Sequence, residues 1–181
     1  MLNFTYSDEN PLDFKEIKMR NLLIWVKERP MLCAMLRAFS YICVALFAAA
    51  AVFTVYSAYS ASVLSAAGLL LSLGVPFIAV TLLRRAVNAS RPYEIYPDIF
   101  DTPPRHGIGE SFPSRHAFSS FAIAVCMLPV STLVGCILLL LATLVCVSRV
   151  VLGIHFTRDV VTGALIGIIS QIIGLLLIQP F

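Results

Sequence analysis

The sequence predicts an all-α protein, a polytopic transmembrane helix bundle of about five spans preceded by an amphipathic helix. Three observations carry this expectation. Of the 181 residues, 59% are hydrophobic and only 13% charged, and the mean hydropathy is +0.90; such a composition calls for lipid around the chain. The apolar residues gather into runs of membrane length. The charged residues and histidines gather between those runs, above all in the stretch from Arg84 to Asp159.

Residues 1–13 are polar and contain Asn10-Pro11, a loose start followed by a turn. From Phe14 to Arg29, apolar positions alternate imperfectly with Lys15, Glu16, Lys18, Arg20, Lys27 and Glu28. Such a helix can lie in the membrane interface with Trp25 near headgroup level, or pack on the polar face of the protein. It is not a cleavable secretory signal, because the first long apolar run comes later and is too long. Residues 38–58 and 61–83 then form two spans joined by a short turn near Tyr59-Ser60, which makes them an antiparallel pair. Pro76 falls inside the second span and predicts a kink there.

Residues 84–115 are the long polar stretch between spans. Pro92, Pro97, Pro103, Pro104 and Pro113 deny it a long helix, so it is expected to cap the membrane surface as an irregular loop. Three further apolar segments follow at about 117–129, 132–147 and 160–178. The first of these is short, so its helix is expected to begin in Ser114-Arg115-His116, with His116 in the first turn among N–H groups that favour an anion. The domain division that follows is an interfacial segment, 1–37, and a membrane domain, 38–181, with the cap at 84–115.

With five spans, all 13 basic and all 10 acidic residues fall on one side of the membrane. The positive-inside tendency makes that side cytoplasmic. The five cysteines, at positions 33, 43, 126, 136 and 146, lack the close pairing of a metal or redox motif and read as small apolar residues. The basic residues are not interleaved with exposed aromatics, which argues against nucleic acid as a partner. The expected partners are the lipids of the bilayer; the sequence sets no oligomeric state.

The chemistry concentrates in three knots. In Ser148-Arg149-x5-His155-x3-Asp159, a helix would place His155 and Asp159 on one face. The carboxylate can then hold one imidazole nitrogen protonated and leave the other free as a nucleophile, with Arg149 near enough to hold phosphate oxygens. A solvated loop ending two helices is the plainer alternative for this segment taken alone. In the second knot, His116 can protonate a leaving oxygen and then activate water, while Ser114 and nearby N–H groups bond the equatorial oxygens. The third knot, Arg84-x6-Arg91-Pro92, supplies guanidinium forks suited to a tetrahedral anion. Arg85 reads as a membrane-edge charge. A metal site is disfavoured: Glu94, Asp98 and Asp101 match no common motif, and His106 joins them only through folding. Gly107-x-Gly109 reads as a turn in the cap.

Together the three knots resemble the type 2 phosphatidic acid phosphatase (PAP2) superfamily, whose pattern is Lys-x6-Arg-Pro, Pro-Ser-Gly-His and Ser-Arg-x5-His-x3-Asp. The third motif is complete, and the match covers roughly the last hundred residues. The resemblance implies His155 as the nucleophile of a phosphohistidine, Asp159 as its orienting partner and His116 as the general acid. It implies Arg84, Arg91, Arg149 and Ser114 around the phosphate, with no metal or organic cofactor. Two positions depart from the pattern. Arg84 replaces lysine, and Arg115 replaces glycine, where it either narrows the site or reaches a second phosphate. Six spans are common in the family's membrane members, so the amphipathic segment would stand in for the first. The activity expected is hydrolysis of a polyprenyl diphosphate of the cell-wall carrier type in a bacterial cytoplasmic membrane. The alternatives are phosphatidic acid, phosphatidylglycerol phosphate or a prenyl-sugar phosphate as substrate, a non-catalytic lipid-phosphate binding or transport protein, and a vanadate-dependent oxidase.

Overall fold

The computed structural model describes residues 14–100 and 108–178. Its helices are α1 (Phe14–Lys27), α2 (Pro30–Ala61), α3 (Val63–Val87), α4 (Pro92–Ile95), α5 (Arg115–Met127), α6 (Thr132–Val151) and α7 (Thr157–Ile178). Residues 101–107, and with them His106, lie outside the described residues.

Each boundary has a local cause. Pro30 opens α2 at a position where a missing N–H costs nothing. This starts the first long helix well before residue 38 and puts Arg37 inside it. Ser62 ends α2 and caps α3, its hydroxyl accepting from Ser65 N at 2.9 Å, so one residue reverses the chain. Asn88 closes α3 in the left-handed region at φ 43°. Ser131 caps α6 by accepting from Val134 N at 3.4 Å. Pro76 lies within a continuous α3.

Four helices, α2, α3, α6 and α7, are long and apolar enough to cross a membrane among the described residues. The sequence led us to expect five spans. The fifth expected segment is α5: its 13 residues extend about 20 Å, so length and composition alone do not mark it as a span, yet it runs from the site end at Ser114 to the uncharged end at Cys126. It is a core helix: Ala117, Phe118, Ala122, Ala124, Val125, Cys126 and Met127 are buried, and it packs against α7, α6, α2 and α3. Ala124 and Met127 join one buried cluster with Cys43 and Phe47 of α2 and Leu138, Ala142 and Val145 of α6. The four long helices instead turn apolar side chains outward; Leu71, Leu140 and Leu177 are 65%, 62% and 80% exposed. Surfaces of that kind are stable against lipid and not against water.

The glycines of α7 set how closely α5 approaches. A Cβ at Gly163 would collide with the Ser114 carbonyl, and one at Gly167 with the Phe118 carbonyl. Small residues four apart let helix backbones touch in a membrane. The close crossing brings the starts of α5 and α7 together, where Ser114 N donates to Asp159 O at 2.9 Å. At the opposite end, Ala58, Ala66, Leu69 and Cys126 form an uncharged cluster. The functional knots therefore lie at one end of the bundle.

On that end α1 buries Leu23 against Tyr96, Ile99 and Phe100. Arg20 reaches Asp98 at 2.5 Å. Its other face leaves Ile17, Ile24 and Trp25 exposed, with Arg29 stacked 4.0 Å from the Trp25 ring centre. The helix is thus fastened to the cap by one face and offers apolar groups on the other. Of the cysteines, Cys43, Cys126 and Cys146 are buried, Cys33 is half-buried and Cys136 exposed, and all are free thiols.

Candidate active site

The turn between α6 and α7 is built around Gly153. It adopts φ 66°, and a Cβ there would meet Leu23 and Phe100, so both conformation and packing call for glycine. Beyond it the chain folds back, and Ile154 N and His155 N both donate to Arg149 O, at 3.0 and 3.3 Å. His155 thus lies in the turn before α7, and Asp159 in the first turn of that helix. They do not share one helix, as the spacing led us to expect, yet the imidazole Nδ1 comes within 3.6 Å of Asp159 Oδ2. That oxygen also accepts from Phe156 N at 3.0 Å, which caps α7 and holds the carboxylate still. His155 and Asp159 are 3% and 0% exposed.

Burial holds the His155 pKa below its ordinary value; the neighbouring Asp159 carboxylate opposes this, and the nearby Arg91 and Arg84 charges reinforce it. The neutral ring is therefore favoured. One nitrogen faces Asp159, which leaves Nε2 as the basic, nucleophilic atom.

Three arginines are buried at this end: Arg84, Arg91 and Arg149. Arg84 donates to Pro113 O at 2.7 Å, which ties α3 to the start of α5. Arg91 donates through Nε to Gly109 O at 2.9 Å, while Glu94 accepts from Gly109 N at 2.7 Å. The Arg91-Pro92 turn thereby clamps the cap at a glycine with φ 69°. The Nε atoms of Arg84 and Arg149 are buried with no hydrogen-bond partner in the protein. Buried guanidinium donors of this kind suit an anion with several oxygens.

Ser114 caps α5, its hydroxyl accepting from Ala117 N at 3.5 Å. Its own N–H is committed to Asp159 O, so this one N–H does not serve an anion as the sequence reading allowed. His116 follows in the first turn, as expected. It lines a cavity of about 340 Å³ together with Arg115, Ser119, Ser120 and Ile123 of α5, Val44, Phe47 and Ala48 of α2 and Phe77 of α3. Arg115 is exposed at the edge of this space. Arg85 is exposed as well.

The sequence reading missed Ser111. It is fully buried, donates to Asp159 Oδ2 at 2.5 Å and lies 3.3 Å from His155 Nδ1. A lone serine two residues before a motif carries no signal of its own. Ser148, the first residue of the third motif, bonds Ser40 of α2 at 3.0 Å and holds α6 rather than touching the site. Among the described residues, no three of His, Cys, Asp and Glu gather as a metal site would need.

Comparison with known proteins finds relatives both in sequence and in fold. The chain is 33% identical over 102 residues to a protein of Bacillus licheniformis described as bacitracin transport permease protein BcrC, covering 54% of this chain and 50% of that one. It is 42% identical over 88 residues to decaprenylphosphoryl-5-phosphoribose phosphatase of Mycolicibacterium smegmatis, covering 47% and 44%. The matches thus span about half the length of these curated relatives. The crystal structure of Aquifex aeolicus LpxE superposes with a TM-score of 0.64 at 27% identity, covering 86% of this chain and 93% of that one. A PAP2-type phosphatidylglycerolphosphate phosphatase from Bacillus subtilis shares the fold, with a TM-score of 0.60 at 20% identity over 87% and 84%. The chain is an integral membrane protein like these bacterial structures. The model of the PAP2 superfamily matches residues 65–180, well over half of the sequence, and the chain belongs to that family.

Proposed function

We propose that this protein hydrolyses the phosphate of a membrane lipid through a phosphohistidine on His155, with a polyprenyl diphosphate as substrate. The observation that carries the reading is the pairing of two features at one end of the bundle. One is a buried imidazole with its carboxylate beneath three buried arginines. The other is an apolar cavity lined by His116 and edged by Arg115.

In the first step His155 Nε2 attacks the terminal phosphorus, the P–O bond to the lipid phosphate breaks, and His116 gives its proton to the departing oxygen. Arg84, Arg91 and Arg149 hold the equatorial oxygens, where charge gathers in the transition state. In the second step neutral His116 takes a proton from water, whose oxygen attacks phosphorus as the P–N bond breaks. Inorganic phosphate and the lipid monophosphate leave. Because the general acid sits beside the leaving oxygen, the cavity it lines belongs to the leaving group. Its apolar walls suit a hydrocarbon chain, and Arg115 suits the phosphate that stays on that chain.

A prenyl-linked sugar phosphate is the second reading, supported by the 42% identity to a phosphatase whose substrate has a decaprenylphosphoryl group. We place the site on the cytoplasmic side, on the strength of the six basic residues that precede residue 38. The test is phosphate release by detergent-purified protein, with chelator present, from polyprenyl diphosphate, polyprenyl phosphate, a prenyl-sugar phosphate, phosphatidic acid and phosphatidylglycerol phosphate. The diphosphate is expected to give the highest kcat/KM, and His155→Ala to abolish release. Highest turnover of the sugar phosphate favours the second reading; release that survives His155→Ala sinks both.

A further inference from the structure

Geometry around the nucleophile points to a hydrogen-bonded relay. We propose that Ser111 is a positioning residue that carries the hydrogen bond between His155 and Asp159, a role that rests on His155 being the nucleophile. Nδ1 of His155 lies 3.3 Å from Ser111 Oγ but 3.6 Å from Asp159 Oδ2. The first separation is a hydrogen bond and the second is beyond one. The same Ser111 hydroxyl donates to Asp159 Oδ2 at 2.5 Å.

A serine hydroxyl has one proton to give and two lone pairs to receive. With its proton on the carboxylate, it can accept only from the imidazole, which fixes the hydrogen on Nδ1 and the lone pair on Nε2. The serine is itself immobile: it is 0% exposed, and its backbone N–H donates to Ala89 O at 2.8 Å. Asp159 is further held by Phe156 N, which donates to the same Oδ2, and, through its backbone, by Ser114 N. The relay therefore joins the cap, the start of α5 and the start of α7 into one frame around the ring. The charged groups acting on that ring are Asp159 from α7, Arg91 from the link before α4 and Arg84 from α3.

Ser111→Ala removes the bridge without adding bulk. The carboxylate then keeps more of its charge for the imidazole, which favours the protonated ring. The experiment is a pH titration of nitrogen-labelled histidines in the detergent-solubilised protein, with His155 assigned by the spectrum of His155→Ala. The expected result is a neutral His155 carrying its proton on Nδ1 in the parent, and a titration midpoint displaced to higher pH in Ser111→Ala. Phosphate release is measured in parallel; kcat is expected to fall about tenfold or more while KM changes less. Asp159→Asn and the double variant complete a cycle, in which the double variant is expected to be no worse than the poorer single one. Ser111→Thr, which keeps the hydroxyl, restores the parent midpoint if it folds.

A midpoint unchanged in a folded Ser111→Ala, or a parent ring protonated on Nε2, overturns the relay. So does a fully additive cycle. If the midpoint moves but no variant or parent shows His155-dependent release, the relay stands and the catalytic reading fails, so the two failures are told apart.

Discussion

Gly163→Ala asks whether the close crossing of α5 and α7 builds the site. The added Cβ would point at the Ser114 carbonyl and lie 3.2 Å from Ala117 Cβ and 3.3 Å from Phe118 N. Two of these neighbours are helix backbone, which cannot yield without moving the helix. Overpacking of this kind costs about 1–3 kcal/mol, whereas replacing a helical glycine with alanine gains about 1 kcal/mol from propensity alone. Gly74→Ala separates the two effects, because nothing lies within 4 Å of a Cβ at that position. The propensity gain is common to both variants, so their difference isolates the clash at about 1–3 kcal/mol. For a chain of this size that places the Gly163→Ala unfolding temperature roughly 2–12 °C below that of Gly74→Ala. The displaced frame includes the Ser114–Asp159 bond, and a shift near 1 Å in an active site costs about 10²-fold in rate. Thermal unfolding and phosphate release in one detergent measure both effects. Equal stability and equal turnover in the two alanine variants would refute the packing argument.

The remaining predictions concern charge and sidedness. Since burial favours neutral His155, the acid limb it sets in kcat/KM is expected below about pH 6.5, the ordinary histidine value. The same depression makes the unfolded chain bind a proton that the folded site resists. Stability is therefore expected to fall as pH drops through about 6.5 toward the folded value, and thermal unfolding between neutral and acid pH should show a weaker fall in His155→Gln. Arg149→Ala is expected to lower kcat about 10²–10³-fold, as loss of a transition-state donor does, whereas Arg84→Lys, which keeps the charge, should stay within about tenfold of the parent. A cysteine at His106, in a background lacking the five native cysteines, should resist a membrane-impermeant reagent in intact cells and react in lysed ones. Labelling in intact cells would place the cap outside.

What could be read from the sequence follows from how each residue acts. Long apolar runs mark α2, α3, α6 and α7 because length and composition alone decide whether a helix can span lipid. His155, Asp159, Arg84, Arg91 and Arg149 stood out because charges at the edge of a membrane core need a reason, and the structure buries all five at one end. The role of α5 was less legible: its run is apolar whether it faces lipid or four neighbouring helices, and only the packing shows that it faces helices. Ser111, Gly163 and Gly167 were not legible either, since a small residue gains meaning from the backbone or carboxylate that approaches it. Gly153 could have been found, because a glycine between a long apolar run and a histidine commonly ends a helix. The helical face expected for His155 and Asp159 was replaced by a turn that Gly153 makes possible.

The proposed mechanism requires that phosphorus pass through His155. The most direct measurement is the stereochemical course of hydrolysis, using a lipid diphosphate whose terminal phosphorus is made chiral with oxygen isotopes and sulfur, in isotopically labelled water. Two in-line displacements, one by His155 and one by water, predict net retention of configuration. Net inversion would show that water attacks the lipid phosphate directly and would contradict the mechanism.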